Sequence, residues 1–548
     1  MSVMEYSSFF PDFRPAMLAQ QALQGDLEKG LNVCDEVCDR WSSDTAKMAL
    51  YYQALDGTSG TLTFAELSQQ AARFANYLTT RGIGKGDRVA GLLPRGPELL
   101  IVIMGTLKAG AVYQPLFTAF GPSAIEYRLT QASTRLVVTN GENYPKLEAI
   151  KACPPVMCVD LLDVQGVDNF GQLMAQQSTS FTPVLITADE AFLQMFTSGT
   201  VGKAKAVTIP AKALLSFYVY MKYAIELQEQ DSYWNMADPG WAYGLYYAVI
   251  GPLLLGHATH FNEVGFTPES TYQMIEKYGI SNLAAAPTVY RMLMANDDLL
   301  PAAKTFGLRV ASSAGEPLNP EVLNWVGRRL GCPVMDHYGQ TETGMTCCNF
   351  HALAHAKRIG SMGYAMPGYR MVALDEAYNE VAAGETGQLA VDVAASSLFF
   401  FDGYGQSVKT PFHGQYYLTG DMVLCHGDGG FSFTGRDDDI ITTAGYRVGP
   451  ADVESCLLEH PAVAESGVVA KPDAKRGAII KAFVVLKAHY IASDALADEL
   501  KTLVRTRLST HAFPREITFM EALPKTPSGK IQRFILRQTA EAEVAEMA

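Results

Sequence analysis

The stretch from Phe196 to Val207 reads FTSGTVGKAKAV, a run of small, hydroxyl and glycine residues that includes two lysines near its end. Apolar segments before it, from Phe192 to Phe196, and after it, from Ala206 to Ile209, have the composition of short strands. Glycines let a backbone approach phosphate oxygens, hydroxyls donate hydrogen bonds, and lysines supply positive charge. The stretch therefore predicts a phosphate-binding loop that joins a β-hairpin, with a solvated Ser/Thr/Gly turn as the alternative.

The spacing of this loop is not that of a Walker A motif, because Gly202-Lys203 follows Gly199 more closely than that motif requires. Instead, the pattern Thr-Ser-Gly-Thr-x-Gly-Lys-x-Lys resembles the signature loop of the adenylate-forming superfamily, which includes acyl-CoA synthetases, peptide-synthetase adenylation domains and luciferases. Val201, Ala204 and Ala206 depart from the usual pattern of that loop. The resemblance assigns phosphate binding to Thr197, Ser198, Gly199, Thr200, Gly202, Lys203 and Lys205.

The bulk composition is that of an ordinary globular protein with more than one core, since the chain has 548 residues, 48% of them hydrophobic and 18% charged. A net charge of -14 argues against a general affinity for nucleic acid or an anionic membrane, because both require a basic face. The nine cysteines are odd in number and scattered, which favours a reducing compartment. No basic and apolar leader opens the chain. We therefore expect a cytoplasmic location.

Two long apolar runs, Leu99 to Phe117 and Tyr243 to Gly256, raise the question of a membrane span. They are interrupted by Lys108 and by Gly251-Pro252, and a span needs about 20 apolar residues. We expect no membrane span, and predict that both runs form buried helices and strands.

Helical and strand patterns alternate through most of the chain, which predicts an α/β fold. A helical pattern runs from Thr63 to Leu78, and Val- and Ile-rich runs recur at 88–93, 136–139, 156–159 and 280–284. Such alternation indicates two mainly parallel sheets covered by helices. Between Gly384 and Phe433 the elements shorten, which predicts a small β-rich subdomain.

A domain boundary is predicted at the three consecutive acids Asp437, Asp438 and Asp439, because like charges repel one another and avoid burial, as in a linker. The expected domains are residues 1–437 and 438–548, the second a small, mobile α+β domain with a helix at 450–458 and a strand at 516–520. The tail after Arg537 is rich in Ala and Glu and predicts a frayed helix.

Two motifs of the same superfamily would form the nucleotide site of the large domain. SAGEPL, from Ser313 to Leu318, follows a predicted strand and resembles the adenine-binding segment, although Gly-Glu-Pro alone is also an ordinary turn. DHYGQTETG, from Asp336 to Gly344, contains the Tyr-Gly-x-Thr-Glu core, in which Thr341 would contact the α-phosphate and Glu342 would hold Mg²⁺. The resemblance assigns nucleotide binding to Gly315, Glu316, Pro317, Asp336, His337 and Tyr338.

Further motifs lie at the predicted boundary. YLTGD, ending at Asp421, resembles the element whose aspartate binds both ribose hydroxyls. Arg436 corresponds to the arginine that reaches ribose and phosphate, and Asp438 to the hinge between the domains. A surface acidic turn is the alternative interpretation of this acidic run.

The last two motifs belong to the small domain. AGYRVGP, from Ala444 to Pro450, resembles the loop used in the second half-reaction, in which Gly445 and Tyr446 would line the CoA tunnel and Arg447 would meet phosphate. LPKTPSGKI, from Leu523 to Ile531, resembles the lysine loop in which Lys530 bridges the acid and ATP. Its Pro-x4-Gly-Lys context resembles the site that a protein lysine acetyltransferase modifies in bacterial acyl-CoA synthetases.

The acyl pocket is predicted by the same resemblance to be lined by Trp241, Tyr243, Ala314 and Gly339. Ala314 and Gly339 stand where acetyl-CoA synthetases have larger residues, so both changes should remove side-chain volume, whereas Tyr243 returns some. We therefore expect a medium-chain, branched or aromatic acid rather than acetate. Gly339→Trp should shift the preference toward acetate or propionate.

The motifs, from about Leu31 to Arg537, are most similar to acyl-CoA synthetases of the acetyl and medium-chain type. That similarity implies ATP, Mg²⁺ and coenzyme A, and an acid activated first as acyl-adenylate and then as the CoA thioester. Two alternatives stay open: an adenylation enzyme that loads another acceptor, and a non-catalytic adenylate-binding protein.

Overall fold

A computed structural model describes residues 4–160, 164–197, 204–300, 306–404, 410–437, 439–443, 446–473, 476–509, 511–525 and 530–547, with the backbone alone at 446, 447 and 545–547. Its secondary structure follows the predicted alternation of helices and strands. Many of the described residues predicted to act in the site lie on or next to strands of three sheets in the large domain.

The first sheet carries the glycine-rich hairpin at its edge. Its strands run in the order β10-β9-β5-β4-β6-β7-β8 and are parallel except for the pair β9–β10. The elements of this part of the chain are β1 (Met4–Glu5), α1 (Tyr6–Asp12), α2 (Pro15–Ala22), α3 (Val33–Val37), β2 (Met48–Gln53), β3 (Ser59–Thr63), α4 (Phe64–Thr80), β4 (Arg88–Leu92), α5 (Pro97–Lys108), β5 (Val112–Pro115), α6 (Pro122–Ala132), β6 (Leu136–Thr139), α7 (Tyr144–Glu148), β7 (Val156–Cys158), β8 (Val167–Asn169), α8 (Phe170–Ala175), β9 (Ala191–Thr197) and β10 (Lys205–Pro210).

Local sequence explains where these elements begin. The helix predicted from Thr63 is α4, whose first turn is closed by a capping box between Thr63 and Glu66. The strand predicted at 88–93 is β4, and the runs at 136–139 and 156–159 are β6 and β7. The parallel, helix-covered sheet is therefore confirmed.

The second sheet presents the carboxyl ends of its central strands to the site. Its order is β11-β13-β14-β15-β16-β18; the first four are parallel and the last two join antiparallel. Strand β12 lies outside this sheet and pairs with β2, which pairs on its other side with β3. The elements are α9 (Ala213–Val219), β11 (Tyr233–Asn235), α10 (Ala242–Gly244), α11 (Gly251–Leu254), β12 (Thr259–Asn262), α12 (Pro268–Tyr278), β13 (Asn282–Ala285), α13 (Pro287–Ala295), β14 (Val310–Ala314), α14 (Pro320–Arg329), β15 (Val334–Gln340), β16 (Gly344–Cys348), β17 (Leu353–Ala354) and β18 (Tyr364–Ala365).

The predicted β-rich subdomain is a compact antiparallel sheet in the order β19-β20-β22-β21, with β23 also paired to β22. Because β22 and β23 are antiparallel neighbours, Arg436 lies directly opposite Asp421. The elements are β19 (Met371–Leu374), β20 (Thr386–Asp392), β21 (Phe412–His413), β22 (Tyr416–Cys425) and β23 (Phe431–Arg436).

The small domain has its own core, in which Val453, Val468, Val484 and Leu500 are buried. Strands β26, β27 and β28 form its sheet, and a short hairpin, β24–β25, precedes them. The predicted helix at 450–458 and strand at 516–520 match α15 and β28. The elements are β24 (Ile441–Thr443), β25 (Tyr446–Val448), α15 (Pro450–Leu458), β26 (Val463–Asp473), β27 (Gly477–Leu486), α16 (Asp494–Arg507), β28 (Glu516–Met520) and α17 (Arg533–Met547).

The prediction of a frayed tail after Arg537 is wrong. Helix α17 packs on the small domain with Ala540 fully buried, and the Glu543 carboxylate accepts hydrogen bonds from Lys471 at 2.7 Å and from Lys481. The two ammonium groups are almost fully buried, with side-chain exposures of 4% and 3%. A composition of Ala and Glu does not reveal this docking, because the partners lie on distant strands.

The two long apolar runs form buried elements, as predicted: α5 and β5 for the first, and a π-helix, Leu245–Ile250, followed by α11 for the second. None of the described helices combines the length and the apolar character that a membrane crossing requires. All nine cysteines are described, and none takes part in a disulfide.

Candidate active site

The glycine-rich loop joins an antiparallel hairpin, as predicted. Thr197 ends β9 and is paired directly with Lys205 at the start of β10, so these two residues mark the mouth of the loop. The ammonium of Lys205 lies 4.5 Å from the centre of the Tyr404 ring. The predicted phosphate ligands Ser198, Gly199, Thr200, Gly202 and Lys203 lie outside the described residues.

The backbone after β14 offers an open surface at Gly315. This residue has φ +103, a value that suits glycine, and a Cβ placed there would meet no heavy atom within 4 Å. Pro317 is exposed beside it. Glu316 is held by Arg291, whose Nη2 donates to Oε2 at 2.5 Å, so its carboxylate has a partner already. A flat ligand can therefore lie against the backbone at this point.

Asp336 on β15 has an unsatisfied oxygen. Leu318 N donates to its Oδ2 at 3.2 Å, but Oδ1 is buried without a hydrogen-bond partner among the described residues. Burial raises the pKa of this carboxyl to about 8, against 3.8 in its ordinary state. A buried oxygen of this kind is suited to a ligand that donates a hydrogen bond, such as an exocyclic amine.

The side chain of His337 is committed to partners in the core, so the nucleotide contact predicted for this residue stays a prediction about its backbone. Successive residues of a strand face opposite sides, and His337 is 2% exposed while its neighbours Asp336 and Tyr338 keep accessible surface. Its Nδ1 lies 2.8 Å from Tyr220 Oη and its Nε2 lies 3.0 Å from the carbonyl oxygen of Asn349. Both ring nitrogens are therefore occupied on the other face of the strand.

Asp421 is the centre of a buried hydrogen-bond cluster that links two sheets. Tyr338 Oη donates to its Oδ2 at 2.5 Å, Gln340 Nε2 donates to the same atom at 2.9 Å, and Arg436 Nη1 lies 3.5 Å from Oδ1. Tyr417 Oη in turn donates to Gln340 Oε1 at 2.9 Å. The sequence motifs of Tyr338, Asp421 and Arg436 thus meet in space, and Gln340 joins them without having been predicted.

Charges around Asp421 act in opposite directions on its pKa. Burial raises the pKa of this carboxyl, whereas the Arg436 charge, the hydrogen bonds from Tyr338 and Gln340, and the Lys530 charge oppose that rise. Lys530 is exposed, and its positive charge favours the ionised form of the Asp421 carboxyl.

Glu342 is buried at 7% exposure and is oriented by Tyr404, whose hydroxyl donates to Oε1 at 2.6 Å. Burial raises its pKa, an effect that the Tyr404 hydrogen bond and the Lys205 and Arg436 charges oppose. One hard carboxylate that feels the charges of Lys205 and Arg436 fits Mg²⁺, which takes few protein ligands and several phosphate oxygens. Thr341 is partly exposed, and its carbonyl accepts from Tyr246 Oη at 3.0 Å.

A different cluster in the described residues, Cys34, Cys38 and Asp39, also brings possible metal ligands together. The Lys108 ammonium lies 2.6 Å from Asp39 Oδ2, and both thiols are fully buried. Because a lysine already neutralises the only carboxylate of the three, this cluster is a core ion pair.

The residues predicted to line the acyl pocket fall into two groups. Trp241 packs against Phe117 and Phe120, with ring centres 5.5 Å apart in each pair. Tyr243 and Ala314 lie nearer the second sheet, where Tyr243 Oη is 3.3 Å from Tyr220 Oη and Ala314 is 1% exposed.

Gly339 does not leave empty space where a side chain is missing. A Cβ on residue 339 would lie 2.2 Å from the carbonyl oxygen of Gly344 and 2.7 Å from Met345 Cα, because a bulge after Tyr338 turns this position toward β16. The expectation that Gly339→Trp simply refills the pocket is therefore wrong, since the tryptophan would first force β15 and β16 apart.

Ion pairs hold α17 against the segment that follows the predicted hinge. Arg533 Nη2 lies 2.6 Å from Glu454 Oε2, and Arg537 Nη1 lies 2.5 Å from Asp439 Oδ1. A bridge between Lys525 and Ile531 closes the lysine loop at its base. Asp438 and Gly445 lie outside the described residues, and for Tyr446 and Arg447 the structure places the backbone in β25, with Arg447 opposite Thr442.

Known proteins share both parts of this arrangement. Residues 38–399 match the family model for AMP-binding enzymes, and residues 452–530 match the model for the C-terminal domain of AMP-binding enzymes. The acetyl-coenzyme A synthetase of Bacillus subtilis is 36% identical over 519 residues, which cover 92% of this chain and 90% of that protein.

Two crystal structures extend the similarity to three dimensions. An acyl-CoA synthetase from Brucella canis is 48% identical, covers 100% of both chains and gives a TM-score of 0.80. An anthranilate CoA ligase in complex with anthranoyl-AMP is 26% identical, covers 96% of this chain and 99% of its own, and gives a TM-score of 0.87.

Proposed function

This chain belongs to the AMP-binding enzyme family and is an AMP-forming acyl-CoA synthetase, and from that premise we propose that it activates a carboxylic acid larger than acetate. The reaction uses ATP and CoA: the carboxylate attacks the α-phosphorus of ATP, acyl-adenylate forms as pyrophosphate leaves, and the CoA thiol then displaces AMP. The observation that carries the residue assignment is the convergence on Asp421 of Tyr338, Arg436 and the charge of Lys530.

The nucleotide half of the site is proposed to bind AMP through groups of the large domain. Asp421 would accept hydrogen bonds from the two ribose hydroxyls, and Arg436 beside it would reach ribose and phosphate. Adenine would lie on the backbone at Gly315, with its amino group donating to Asp336. The open surface at Gly315 and the unsatisfied Oδ1 of Asp336 support this placement.

Charge neutralisation is the main physical requirement of the first step, because an anionic nucleophile approaches a polyanion. We assign this role to Lys530, Lys205 and the donors of the glycine-rich loop, with Thr341 at the α-phosphate. Mg²⁺, when bound, would neutralise phosphate charge, and Glu342 would hold it. The hydrogen bond from Tyr404 to Glu342 and the position of Lys205 over the Tyr404 ring support this grouping.

The second step is proposed to need a different orientation of the small domain, with a boundary between residues 437 and 438 and Asp438 as the hinge. Gly445 and Tyr446 would then line the path of the CoA arm, and Arg447 would meet phosphate. The independent core of the small domain and the ion pairs that bind Asp439 to α17 support a rigid body that starts at this point.

The acid is proposed to have about four to eight carbons, branched and aromatic acids included, with a graded preference, because an apolar pocket separates homologues by only about 1–3 kcal/mol. Ala314 supports this size, since each buried CH₂ contributes about 0.8 kcal/mol. The similar proteins act, by their names, on acids as different as acetate and anthranilate, so the size of the acid is a proposal specific to this chain.

A panel of acids tests the function directly. AMP release is measured with ATP, Mg²⁺ and each acid, with and without CoA, and in the Ala314→Val variant. We expect AMP release to require both acid and CoA, acetate to be poor, and the variant to shift the preference toward shorter acids. Acid-dependent pyrophosphate release that CoA does not convert into AMP release would favour the adenylation enzyme that loads another acceptor. Neither pyrophosphate nor AMP release with any acid would favour the non-catalytic protein, and a wild type that prefers acetate would overturn the proposed size.

Regulation at Lys530 is proposed as well, by a protein lysine acetyltransferase. The side chain is exposed, and acetylation would remove the charge that the first step requires. Incubation with an acetyltransferase and acetyl-CoA should modify Lys530 and lower adenylation in proportion to the modified fraction. Failure to modify Lys530, or modification without loss of activity, would contradict this proposal.

A further inference from the structure

A buried chain of hydrogen bonds runs from Tyr243 to the far side of β15. Tyr220 opens one π-helix, Tyr220–Ala224, and Tyr243 precedes another, Leu245–Ile250. Their hydroxyl oxygens are 3.3 Å apart, and Tyr220 Oη is 2.8 Å from His337 Nδ1. π-Helical turns are rare and occur frequently at functional sites.

Which group donates in each hydrogen bond of this chain follows from the bond at its end, between His337 and Asn349. His337 Nε2 faces the carbonyl oxygen of Asn349 at 3.0 Å, and a carbonyl can only accept, so Nε2 carries the proton. Burial lowers the pKa of His337 to about 3, so the ring is neutral and Nδ1 is an acceptor. Tyr220 therefore donates to His337, and the only proton left for the 3.3 Å contact is that of Tyr243.

Tyr243 ends this chain at a position that keeps accessible surface. Its contact with Tyr220, which in turn contacts His337 on β15, places the Tyr243 hydroxyl beside that strand. Burial raises the pKa of the hydroxyl, so it keeps its proton. With this proton directed to Tyr220, the hydroxyl offers a neighbouring ligand only oxygen lone pairs.

We propose that Tyr243 is a specificity-determining residue that presents an obligatory hydrogen-bond acceptor to the acyl group. The favoured acids carry a hydroxyl or amino donor at the carbon that reaches Tyr243, and acids with an acceptor or a second carboxylate there are disfavoured. Tyr220 and His337 are positioning residues, because they set the polarity of Tyr243 without touching the acid. This inference rests on the proposed function, which puts the acyl group at Tyr243.

The test reverses the polarity of Tyr243 without changing its size. The acid panel first identifies the best carbon skeleton, and kcat/KM is then measured for its hydroxy and fluoro derivatives at each position. The hydroxy-to-fluoro ratio at one position should be about tenfold or more in the wild type. Tyr220→Phe frees the Tyr243 proton, so the hydroxy-to-fluoro ratio at that position should fall at least tenfold. Tyr243→Phe removes the acceptor, so the same ratio should approach one.

The control is Tyr233→Phe, which removes a buried hydroxyl of the same core that donates to the Tyr247 carbonyl at 3.0 Å and lies outside the chain. This variant should leave the ratio unchanged. A purely structural role for Tyr220 would lower kcat/KM for all acids by the same factor and leave the hydroxy-to-fluoro ratio constant. A constant ratio in Tyr220→Phe would overturn the inference, as would a wild-type ratio of one or below at every position. If Tyr220→Phe does not fold, the Tyr243→Phe ratio decides. Failure of the proposed function is a separate result, because then no acid supports CoA-dependent AMP release.

Discussion

The two domains contribute to the site in opposite ways. In the large domain, Tyr338 and Gln340 hold Asp421 in a buried cluster before any ligand binds. In the small domain, Lys530 is exposed and acts on Asp421 through its charge. Groups that are already oriented cost little free energy to arrange when the transition state forms, whereas the position of an exposed lysine depends on the placement of its whole domain. In the proposed function, the nucleotide site is therefore permanent and the lysine movable.

Removal of the movable charge should have the largest effect. We expect Lys530→Ala to lower adenylate formation by about 10²–10³-fold, as for loss of one electrostatic group in an active site, and to leave thioester formation from supplied acyl-adenylate largely intact. Pyrophosphate release and thioester formation are measured separately. Lys525→Ala is the control, since Lys525 belongs to the same loop and pairs with Glu465 at 2.7 Å. Equal losses in the two half-reactions would contradict the comparison.

Within the permanent half, a single hydrogen bond can be removed at Tyr404. Hydrogen bonds to charged groups contribute about 1.5–3 kcal/mol, so Tyr404→Phe should weaken binding of Mn²⁺ with ATP roughly ten- to hundredfold. Calorimetric titration measures that affinity apart from turnover. Tyr416→Phe serves as the control, because Tyr416 Oη contacts the exposed Glu380 at 3.3 Å in the same sheet. An unchanged affinity in Tyr404→Phe would show that Glu342 needs no orientation.

The rigidity of the small domain can be tested at its last helix. Among the described residues, Glu543→Gln leaves the buried ammonium groups of Lys471 and Lys481 with Glu516 alone as a carboxylate partner. It should lower the free energy of unfolding of that domain by about 1–2 kcal/mol. Urea denaturation, followed by a probe in the small domain, measures this change. Glu541→Gln, an exposed substitution on the same helix, should change stability little. Equal effects of the two substitutions would mean that the buried ion pairs do not hold α17.

The pH dependence of stability that arises from the Glu543 contact should be the smallest of these effects. Burial raises the pKa of Glu543, but the hydrogen bonds and charges of Lys471 and Lys481 outweigh it and hold the folded pKa below the usual 4.5. The carboxylate therefore stabilises the fold fully above about pH 4.5, and the stabilisation is lost as the pH falls through the lower folded value. Unfolding measured between pH 6 and pH 3 should show this fall in the wild type and a smaller one in Glu543→Gln. An identical fall in both proteins would assign the acid sensitivity to other groups.

Sequence predicted the elements whose causes are local. The hairpin around the glycine-rich loop, the capping box of α4 and the helix at 450–458 each depend on residues within a few positions of one another. The motifs also predicted that Asp421, Tyr338 and Arg436 would converge, through resemblance to a family.

Contacts between single residues that lie far apart in the sequence could not be predicted from it. Tyr404 meets Glu342 across 62 positions and Tyr220 meets His337 across 117, with no repeating pattern to connect them. The positions of the His337 ring and of Gly339 were missed for one reason: a motif gives the order of residues along β15 but neither the face of each side chain nor the bulge after Tyr338. The phosphate contacts of 198–203 stay predictions.

The bridge between Lys525 and Ile531 has a mechanical consequence for the enzyme. Gln532 N donates to the Pro524 carbonyl at 2.9 Å just beyond it, and Arg533 is held by Glu454 on α15, so the segment that carries Lys530 is fastened on both sides to the body of its domain. In the domain reorientation proposed above, Lys530 would therefore move together with the small domain. The position of its charge would then be set by any ligand that favours one orientation of that domain.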